Sequence, residues 1–171
     1  MMNARSAAEG LLDSKDPQLA QLKTFLNSKV YPVRCDQKRK EGKPVVFLCG
    51  DSTGKNEDKK PDGMWGWGSQ GYTVFDSTKC VFLNQAKAGR STRTYIDEGR
   101  WEEVYNSLEP GDVVLIQFGH NDIGGIKDGK ERGVIATAKD SSKVYRMESS
   151  GVYKVIYSYG WYLKKMIRDA Q

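Results

Sequence analysis

The chain has 171 residues, of which 38% are apolar and 29% are charged, and it carries a formal net charge of +5 at neutral pH. This length fits one domain, and a mean hydropathy of −0.65 is typical of a globular protein with a modest core. No apolar run approaches the roughly 18 residues that span a bilayer, so we expect no membrane partner.

The first 43 residues (1–43) are interpreted as a separate N-terminal segment. Asp16 and Pro17 signal the start of a helix, and one helical face then carries Leu19, Leu22, Phe25 and Leu26. Residues 34–43 are rich in basic side chains but lack the interleaved aromatic residues of a nucleic-acid site, so we interpret them as a solvated linker and expect no nucleic-acid partner. The first ten residues lack the apolar core of a signal peptide, which predicts a cytoplasmic chain as it stands.

From residue 44 onward, the pattern alternates between strands and helices and predicts an α/β domain over 44–171. Three apolar runs predict three strands, Val45–Cys49, Val81–Leu83 and Val113–Phe118. The first run shows no alternation of polar and apolar residues, which indicates a strand of a parallel sheet that is covered on both faces. The three cysteines have no metal-ligand spacing and predict no disulfide framework.

Two helices and a hairpin complete the predicted domain. Between the second and third strands, helical spacing relates the apolar residues Trp101, Val104, Tyr105 and Leu108. A hairpin is expected around 148–151. It is followed by a helix whose apolar stripe contains Tyr159, Tyr162, Leu163, Met166, Ile167 and Ala170.

Each predicted strand is followed by a short polar block. The blocks are residues 50–52 with the sequence GDS, residues 84–91 with the sequence NQAKAGRS, and residues 119–122 with the sequence GHND. Ligands of open α/β sheets bind beyond the carboxyl ends of the strands, so we expect the blocks to meet at one site. Taken one at a time, Ser52 also fits a helix cap and Gly89 a simple turn glycine.

The three blocks resemble three of the four signature blocks of the SGNH (GDSL-type) hydrolases. Within this family, the chain is most similar to the rhamnogalacturonan acetylesterase branch, and the motifs that carry this similarity are residues 66–68, 88–93, 117–122 and 159–163. The resemblance covers residues 44–171 and about the first half of that branch's domain. It implies a three-layer α/β/α flavodoxin-like fold with a parallel sheet of strand order 2-1-3-4-5, of which this chain holds the first three strands.

The resemblance implies acyl transfer by a serine mechanism, without a metal or an organic cofactor. It assigns Ser52 as the nucleophile and surrounds the oxyanion with the backbone N–H groups of Ser52 and Gly89 and the side-chain amide of Asn121. Glycine suits its position because a backbone without a side chain can approach a ligand closely. The implied substrate is an acetylated pectin-type polysaccharide or another small ester.

Further residues of the blocks are candidates for substrate contact. Arg90 and Arg93 either meet uronic-acid carboxylates or form salt bridges that fix the loop. Trp65 and Trp67 either stack on sugar rings or pack in the core. His120 is the only histidine of the chain, and we predict a structural or substrate-contact role for it in preference to that of the base.

Asp51 and Asp122 are predicted to hydrogen-bond the loops of the site and not to bind a metal. The fourth family block, an Asp-x-x-His pair that supplies the base, does not occur in the 171 residues. We therefore expect the chain by itself to be inactive or a feeble esterase. The alternatives are a non-catalytic carbohydrate-binding or interaction domain on a hydrolase fold, and a lipase- or thioesterase-like SGNH enzyme. Members of the family are usually secreted or periplasmic.

The third predicted strand, 113–118, lacks the fourth strand that the resemblance places beside it. An apolar edge of this kind is a site for pairing with another chain. We expect either self-association through the edge or another segment, such as the N-terminal helix, to cover it.

Overall fold

The computed structural model describes residues 42–55 and 65–171. These ranges contain a three-stranded parallel sheet and a two-stranded antiparallel hairpin. The predicted N-terminal helix lies outside the described residues, and the division of the chain at residue 43 stays a prediction. Within the described ranges, no helix is long and apolar enough to cross a membrane.

The parallel sheet has the order β2-β1-β3, with β1 at Val45–Gly50, β2 at Val81–Asn84 and β3 at Val113–Gln117. Phe47 of β1 lies opposite Leu83 of β2 and Val114 of β3. Every residue of β1 is buried, as expected for a central strand that is covered on both faces. The predicted strands and their order are confirmed.

In the part of the chain that the structure describes, four α-helices accompany the strands. They are α1 (Gly71–Val74), which follows a 3-10 helix at Trp67–Gln70, and then α2 (Thr92–Asp97), α3 (Arg100–Asn106) and α4 (Tyr159–Asp169). The helix α2 begins with a capping box, because the side chain of Ser91 accepts from the N–H of Thr94 while the hydroxyl of Thr94 accepts from the N–H of Ser91. This cap fixes where the second polar block turns into helix.

Side chains of β1 point alternately into two apolar clusters. On one face, Val45, Phe47 and Cys49 pack in a cluster that also contains Tyr95, Trp101, Val104 and Met166 of the helices α2, α3 and α4. On the other face, Val46 and Leu48 pack in a cluster with Phe82, against which the ring of Phe75 stacks. The expected three-layer α/β/α arrangement is confirmed.

The hairpin consists of β4 (Ser142–Arg146) and β5 (Tyr153–Tyr157), in which Val144 lies opposite Val155. Its turn is closed by a hydrogen bond of 2.8 Å from the N–H of Gly151 to the carbonyl of Met147. Gly151 has a φ of +69°, a conformation that glycine adopts without steric cost. The hairpin predicted around 148–151 is therefore confirmed.

The apolar stripes of two helices are narrower than the sequence predicts. The helix α3 ends at Asn106, so that Leu108 lies beyond it, and Tyr105 is 44% exposed. In α4, Met166 is fully buried whereas its neighbour Ile167 is 48% exposed. Leu108 still packs against the core from beyond the end of α3. Helical spacing alone does not distinguish the stripe residues that pack in the core from those that remain exposed.

In the described part of the sheet, β3 is an edge strand. None of its residues is fully buried, and Val113 is 48% exposed. Beside it lies an open groove of about 210 Å³, lined in part by Val114, Ile116 and Ile167. The expected apolar edge is therefore present in this structure.

Candidate active site

The three polar blocks meet at the carboxyl ends of the parallel strands, and Asn121 joins them. Its side-chain nitrogen, Nδ2, lies 3.0 Å from the carbonyl oxygen of Arg90 and donates a hydrogen bond to it. The same nitrogen lies 3.5 Å from Oδ2 of Asp51. One asparagine side chain thus contacts the residue before Ser52 and the residue after Gly89.

Asp51 shapes the turn that carries Ser52. Its side chain is 1% exposed, and Oδ1 accepts hydrogen bonds from the N–H of Thr53 at 2.9 Å and from its hydroxyl at 2.8 Å. The hydroxyl of Thr53 in turn accepts from Nε2 of Gln117 at 2.8 Å, which ties the turn to the end of β3. Ser52 itself is exposed, so the turn presents it to solvent directly after the central strand.

Gly50, the residue that leads into this turn, must be a glycine. A Cβ atom at this position would lie 2.8 Å from the carbonyl oxygen of Gln117. The close approach of β1 and β3 at their carboxyl ends therefore depends on the missing side chain.

Cys49 precedes Gly50 but is not a competing nucleophile. Burial raises the pKa of its thiol to about 12, and a hydrogen bond with Tyr95 only partly opposes that rise. A cysteine acts as a nucleophile in its thiolate form, which this environment disfavours. Among the side chains of the first block, Ser52 carries the exposed hydroxyl.

Gly89 occupies a turn that a side chain would strain. Its φ is +77°, in the left-handed region that glycine enters readily. A Cβ atom here would also lie 2.9 Å from Nη1 of Arg132, which donates a hydrogen bond of 2.8 Å to the carbonyl oxygen of Gly89. This geometry is compatible with both hypotheses for Gly89, that it is a simple turn glycine and that its N–H donates to an oxyanion.

Asp122 anchors the third block to the start of α2. Its Oδ1 accepts from the N–H of Thr92 at 3.0 Å and from the hydroxyl of the same residue. Its Oδ2 is buried and has no hydrogen-bond partner among the described residues. Burial raises the pKa of Asp122; the bonds from Thr92 oppose the rise, and the negative charge of Asp51 adds to it.

Arg90 of the second block and Arg93 of α2 both donate hydrogen bonds to protein groups. Nε of Arg90 lies 3.1 Å and 3.0 Å from the two carboxylate oxygens of Glu98. Arg93 is only 2% exposed, and its Nη2 donates to the carbonyl oxygens of Ile126 and Glu131. Of the two alternatives for these arginines, the geometry favours fixation of the loops.

Trp67 lies beside the Ser52 turn and is partly open to solvent. Its N–H donates to the carbonyl of Thr53 at 2.8 Å, and its indole N–H donates to Oε1 of Gln117. The side chain is nevertheless 43% exposed, and Trp65 is 53% exposed. The core-packing alternative does not describe either tryptophan in this structure. His120 is also exposed.

A cavity of about 370 Å³ adjoins the third block. Its wall includes Asp122 and the mainly apolar side chains of Ile123, Val134, Ala136 and Tyr159. The hydroxyl of Tyr159 donates to the carbonyl of Phe118 at 2.9 Å, which holds α4 against the end of the third strand run. Within the described ranges, no group of three or more His, Cys, Asp or Glu side chains is placed to hold a metal ion.

Sequence reasoning did not single out Gln117, Thr53 or Arg132. Gln117 is the one polar residue inside the third apolar run, a signal that would have drawn attention to it. Arg132 lies in a loop with no periodic pattern, and only the folded chain brings it to Gly89.

Comparisons with known proteins find relatives of similar sequence. Rhamnogalacturonan acetylesterase of Emericella nidulans is 31% identical over 120 residues, which cover 70% of this chain and 44% of that protein. Rhamnogalacturonan acetylesterase RhgT of Bacillus subtilis is 42% identical over 81 residues, which cover 47% of this chain and 34% of that protein. The probable rhamnogalacturonan acetylesterase YesY of the same bacterium is 32% identical over 101 residues, which cover 58% of this chain and 45% of that protein.

No family model matches the chain. Among solved structures, the crystal structure of the Bacillus subtilis protein YxiM superposes with a TM-score of 0.52 at 20% identity, covering 75% of this chain and 29% of that one. This likeness concerns the fold alone. The chain spans less than half the length of the curated relatives that it matches.

The parallel sheet, with the three blocks at the carboxyl ends of its strands, defines an α/β domain of the SGNH/flavodoxin-like fold. The chain is 31–42% identical to curated relatives named as rhamnogalacturonan acetylesterases, over less than half of their length, in agreement with its resemblance to that branch of the SGNH (GDSL-type) hydrolases.

Proposed function

We propose that the chain carries the nucleophile and the oxyanion hole of a serine esterase that removes acetyl groups from a pectin-type polysaccharide such as rhamnogalacturonan. The observation that carries the proposal is the position of Asn121, whose amide bridges the loops of Ser52 and Gly89. The names of the sequence relatives support the choice of an acetylated polysaccharide as substrate.

In the proposed reaction, Oγ of Ser52 attacks the acetyl carbonyl and the sugar oxygen leaves as an alcohol. Water then hydrolyses the acetyl-serine to acetate and restores the hydroxyl. The oxyanion of each tetrahedral intermediate accepts hydrogen bonds from the N–H groups of Ser52 and Gly89 and from Asn121. One proton of the Asn121 amide is held by Arg90 at 3.0 Å. The other has only the long contact of 3.5 Å to Asp51, and we assign that proton to the oxyanion.

The proton of Ser52 needs a base, and the 171 residues contain one histidine, the exposed His120. We assign His120 to substrate contact, because the family base belongs to the Asp-x-x-His block. A serine hydrolase without its base retains about 10³- to 10⁴-fold catalysis over water through its oxyanion hole and its binding site. We therefore expect weak, Ser52-dependent esterase activity from this chain. The proposed mechanism uses no metal and no organic cofactor.

We propose that the exposed rings of Trp65 and Trp67 bind the sugar by stacking. Trp67 is held at its indole N–H by Gln117 while its ring remains 43% exposed beside the Ser52 turn. A ring fixed at one end and open on its face suits stacking against the apolar face of a sugar.

Two other functions have a specific observation in their favour. A non-catalytic carbohydrate-binding or interaction domain would use the same exposed tryptophans, Trp65 and Trp67. A lipase- or thioesterase-like enzyme would place an acyl chain in the apolar cavity that Ile123, Val134 and Ala136 line.

Ester hydrolysis separates the three functions. We expect wild-type protein to hydrolyse p-nitrophenyl acetate faster than Ser52→Ala, and to release acetate from acetylated rhamnogalacturonan. A preference that rises with acyl-chain length would favour the lipase-like function. Equal rates for wild type and Ser52→Ala, together with retained binding to the polysaccharide, would favour the binding domain and reject the esterase.

We also propose that two copies of the chain associate through β3. Val113 is 48% exposed, and the strand is an edge of the described sheet. Antiparallel pairing of two identical edges is self-complementary about a twofold axis, so both copies contribute the same surface. The alternative is that another segment of the same chain covers the edge. Sedimentation of the purified chain distinguishes a dimer from a monomer.

A further inference from the structure

Three successive carbonyl oxygens of the Gly89 loop each accept a hydrogen bond from a side chain. Ala88 accepts from Nη1 of Arg90 at 2.9 Å, and Gly89 accepts from Nη1 of Arg132 at 2.8 Å. The third, Arg90, accepts from Nδ2 of Asn121 at 3.0 Å. Consecutive peptide groups held in this way have little freedom to rotate.

The planarity of the peptide bond connects these carbonyls to the proposed oxyanion donor. The carbonyl of Ala88 and the N–H of Gly89 belong to one rigid trans unit and point in opposite directions. The Arg90 bond therefore sets where the N–H of Gly89 points. The Arg132 bond holds the next unit, and the two together keep Gly89 at its left-handed φ of +77°.

Arg90 and Arg132 lie in different loops of the chain. Arg90 belongs to the Gly89 loop itself and is braced by Glu98 through a two-oxygen contact. Arg132 reaches Gly89 from the loop that follows the third block, which we name the clamp loop (residues 123–134). Arg132 is therefore a direct link from the third block to the second in addition to Asn121.

The clamp loop is itself tied down on both sides of Arg132. On the carboxyl side, the N–H of Gly133 donates to Gly125 at 2.8 Å, and that of Val134 donates to Asp122 at 3.0 Å. On the amino side, Glu131 has a φ of +46° and is the one non-glycine residue with a positive φ within the described ranges. A side chain in this region of backbone space persists where the surroundings enforce it.

Two contacts enforce the conformation of Glu131. From the interior, Arg93 donates to its carbonyl oxygen and to that of Ile126. From the outside, its carboxylate accepts from the N–H and the hydroxyl of Ser149 in the hairpin turn, each at 2.7 Å. The guanidinium of Arg132 is thus presented to Gly89 from a backbone that is fixed before and after it.

We propose that Arg132 is a positioning residue for the oxyanion hole. By holding the carbonyl of Gly89, Arg132 fixes the peptide unit that follows Gly89, while the Arg90 bond fixes the unit that carries the Gly89 N–H. The two bonds together hold the backbone of Gly89 in the conformation that directs its N–H and the amide of Asn121 at the same point. The catalytic part of this inference rests on the proposed function. Its structural part, that Arg132 controls the conformation of Gly89, does not.

The test replaces Arg132 by methionine, which removes the donors and keeps most of the stem. Acetylation of Ser52 by p-nitrophenyl acetate is followed by the mass of the intact protein in a single turnover. We expect a rate roughly 10- to 100-fold below wild type, since small displacements of a catalytic group have effects of this size. Arg168→Met is the matched control, because Arg168 is an exposed arginine in the last turn of α4. We expect it to keep the wild-type rate.

A second measurement reports on Gly89 without any activity. In protein labelled with [¹⁵N]glycine, we expect Arg132→Met to move the Gly89 amide signal and to lower its heteronuclear NOE. Gly99 serves as an internal control, since its φ of +75° is similar and no heavy atom lies within 4 Å of a Cβ built there. A residue that only stabilises the fold would not change Gly89 selectively.

The outcomes separate this inference from the proposed function. If the wild type is acetylated no faster than Ser52→Ala, the proposed function fails, and the Gly89 signal alone decides whether Arg132 controls that peptide. If the wild type is acetylated, a Gly89 signal or a rate that stays at the wild-type value in Arg132→Met overturns the inference. If Arg132→Met loses the wild-type circular dichroism spectrum, Arg132→Lys is judged by the same two measurements, with smaller changes expected because a charged donor remains.

Discussion

Replacement of Asn121 by alanine removes two functions that can be measured separately. The amide of Asn121 holds the carbonyl of Arg90 at 3.0 Å, and the side chain is only 7% exposed. The bond to the Arg90 carbonyl is partly buried, so its loss is expected to cost about 0.5–1.5 kcal/mol of unfolding free energy. For a chain of this size, each kcal/mol corresponds to about 2–4 °C in Tm. We therefore expect Asn121→Ala to lower both quantities to a measurable degree.

The catalytic effect of the same change is larger. Loss of one oxyanion donor typically slows acyl transfer by about 10²- to 10³-fold, which corresponds to roughly 2.7–4 kcal/mol. We expect this loss in the single-turnover acetylation of Ser52, measured well below the Tm of the variant so that the protein remains folded.

The matched control is Thr92→Val, which removes the hydroxyl bond to Asp122 but leaves the backbone N–H bond at 3.0 Å. It perturbs the same block without removing a proposed oxyanion donor. We expect a loss of stability similar to that of Asn121→Ala, with the acetylation rate changed by less than about tenfold. An Asn121→Ala protein that is destabilised but acetylates Ser52 at the wild-type rate would show that Asn121 only ties the loops together, and the reasoning would be refuted.

Three further predictions concern stability and association. Burial raises the pKa of Asp122 above its ordinary value of 3.8, so the folded state holds the proton of this carboxyl more tightly than the unfolded state does. The stability that this proton contributes is therefore present at acid pH and is lost as the pH rises through the pKa of the folded state. Urea unfolding over a pH series is expected to show a smaller loss of stability towards neutral pH in Asp122→Asn than in the wild type, and an identical pH dependence would contradict this. In α4, Met166→Ala is expected to lower the free energy of unfolding by about 2–5 kcal/mol because Met166 is fully buried. Ile167 is 48% exposed, so Ile167→Ala is expected to lower it by less than half as much. Equal losses of unfolding free energy in chemical denaturation would show that Ile167 is covered in solution. Val113→Lys places a charge on the β3 edge and is expected to lower the dimer fraction in sedimentation, while an unchanged dimer would place the interface elsewhere.

Apolar runs were sufficient to predict the parallel sheet. A run such as Val45–Cys49 cannot be accommodated with one face in water, so it predicts a central strand, and the blocks that follow three such runs meet because parallel strands end at the same edge. The hairpin around 148–151 was predictable for a similar local reason. Strand ends differed by one residue, because pairing and not polarity decides them: Gly50 and Asn84 still pair with a neighbouring strand, whereas β3 ends at Gln117, one residue before the apolar Phe118.

The fates of individual polar side chains were not predictable in the same way. The sequence does not decide whether Arg90 and Arg93 contact substrate or fix the loops, because a guanidinium can bind a substrate carboxylate as well as a protein group. Burial decides between them: Arg93 is enclosed at 2% exposure, and its partners are carbonyls more than 30 residues away along the chain. Such partners exist only once the chain has folded.

The sequence by itself determined the class of fold, the family resemblance and the order of the three blocks, because each depends on local patterns of apolar and polar residues. The tertiary structure alone decided that Ile167 is exposed beside the β3 edge and that Arg132 reaches Gly89. Both depend on which surfaces face each other after folding. A residue in a loop without periodicity, such as Arg132, acquires its partner from the closure of that loop, and no local pattern encodes this contact.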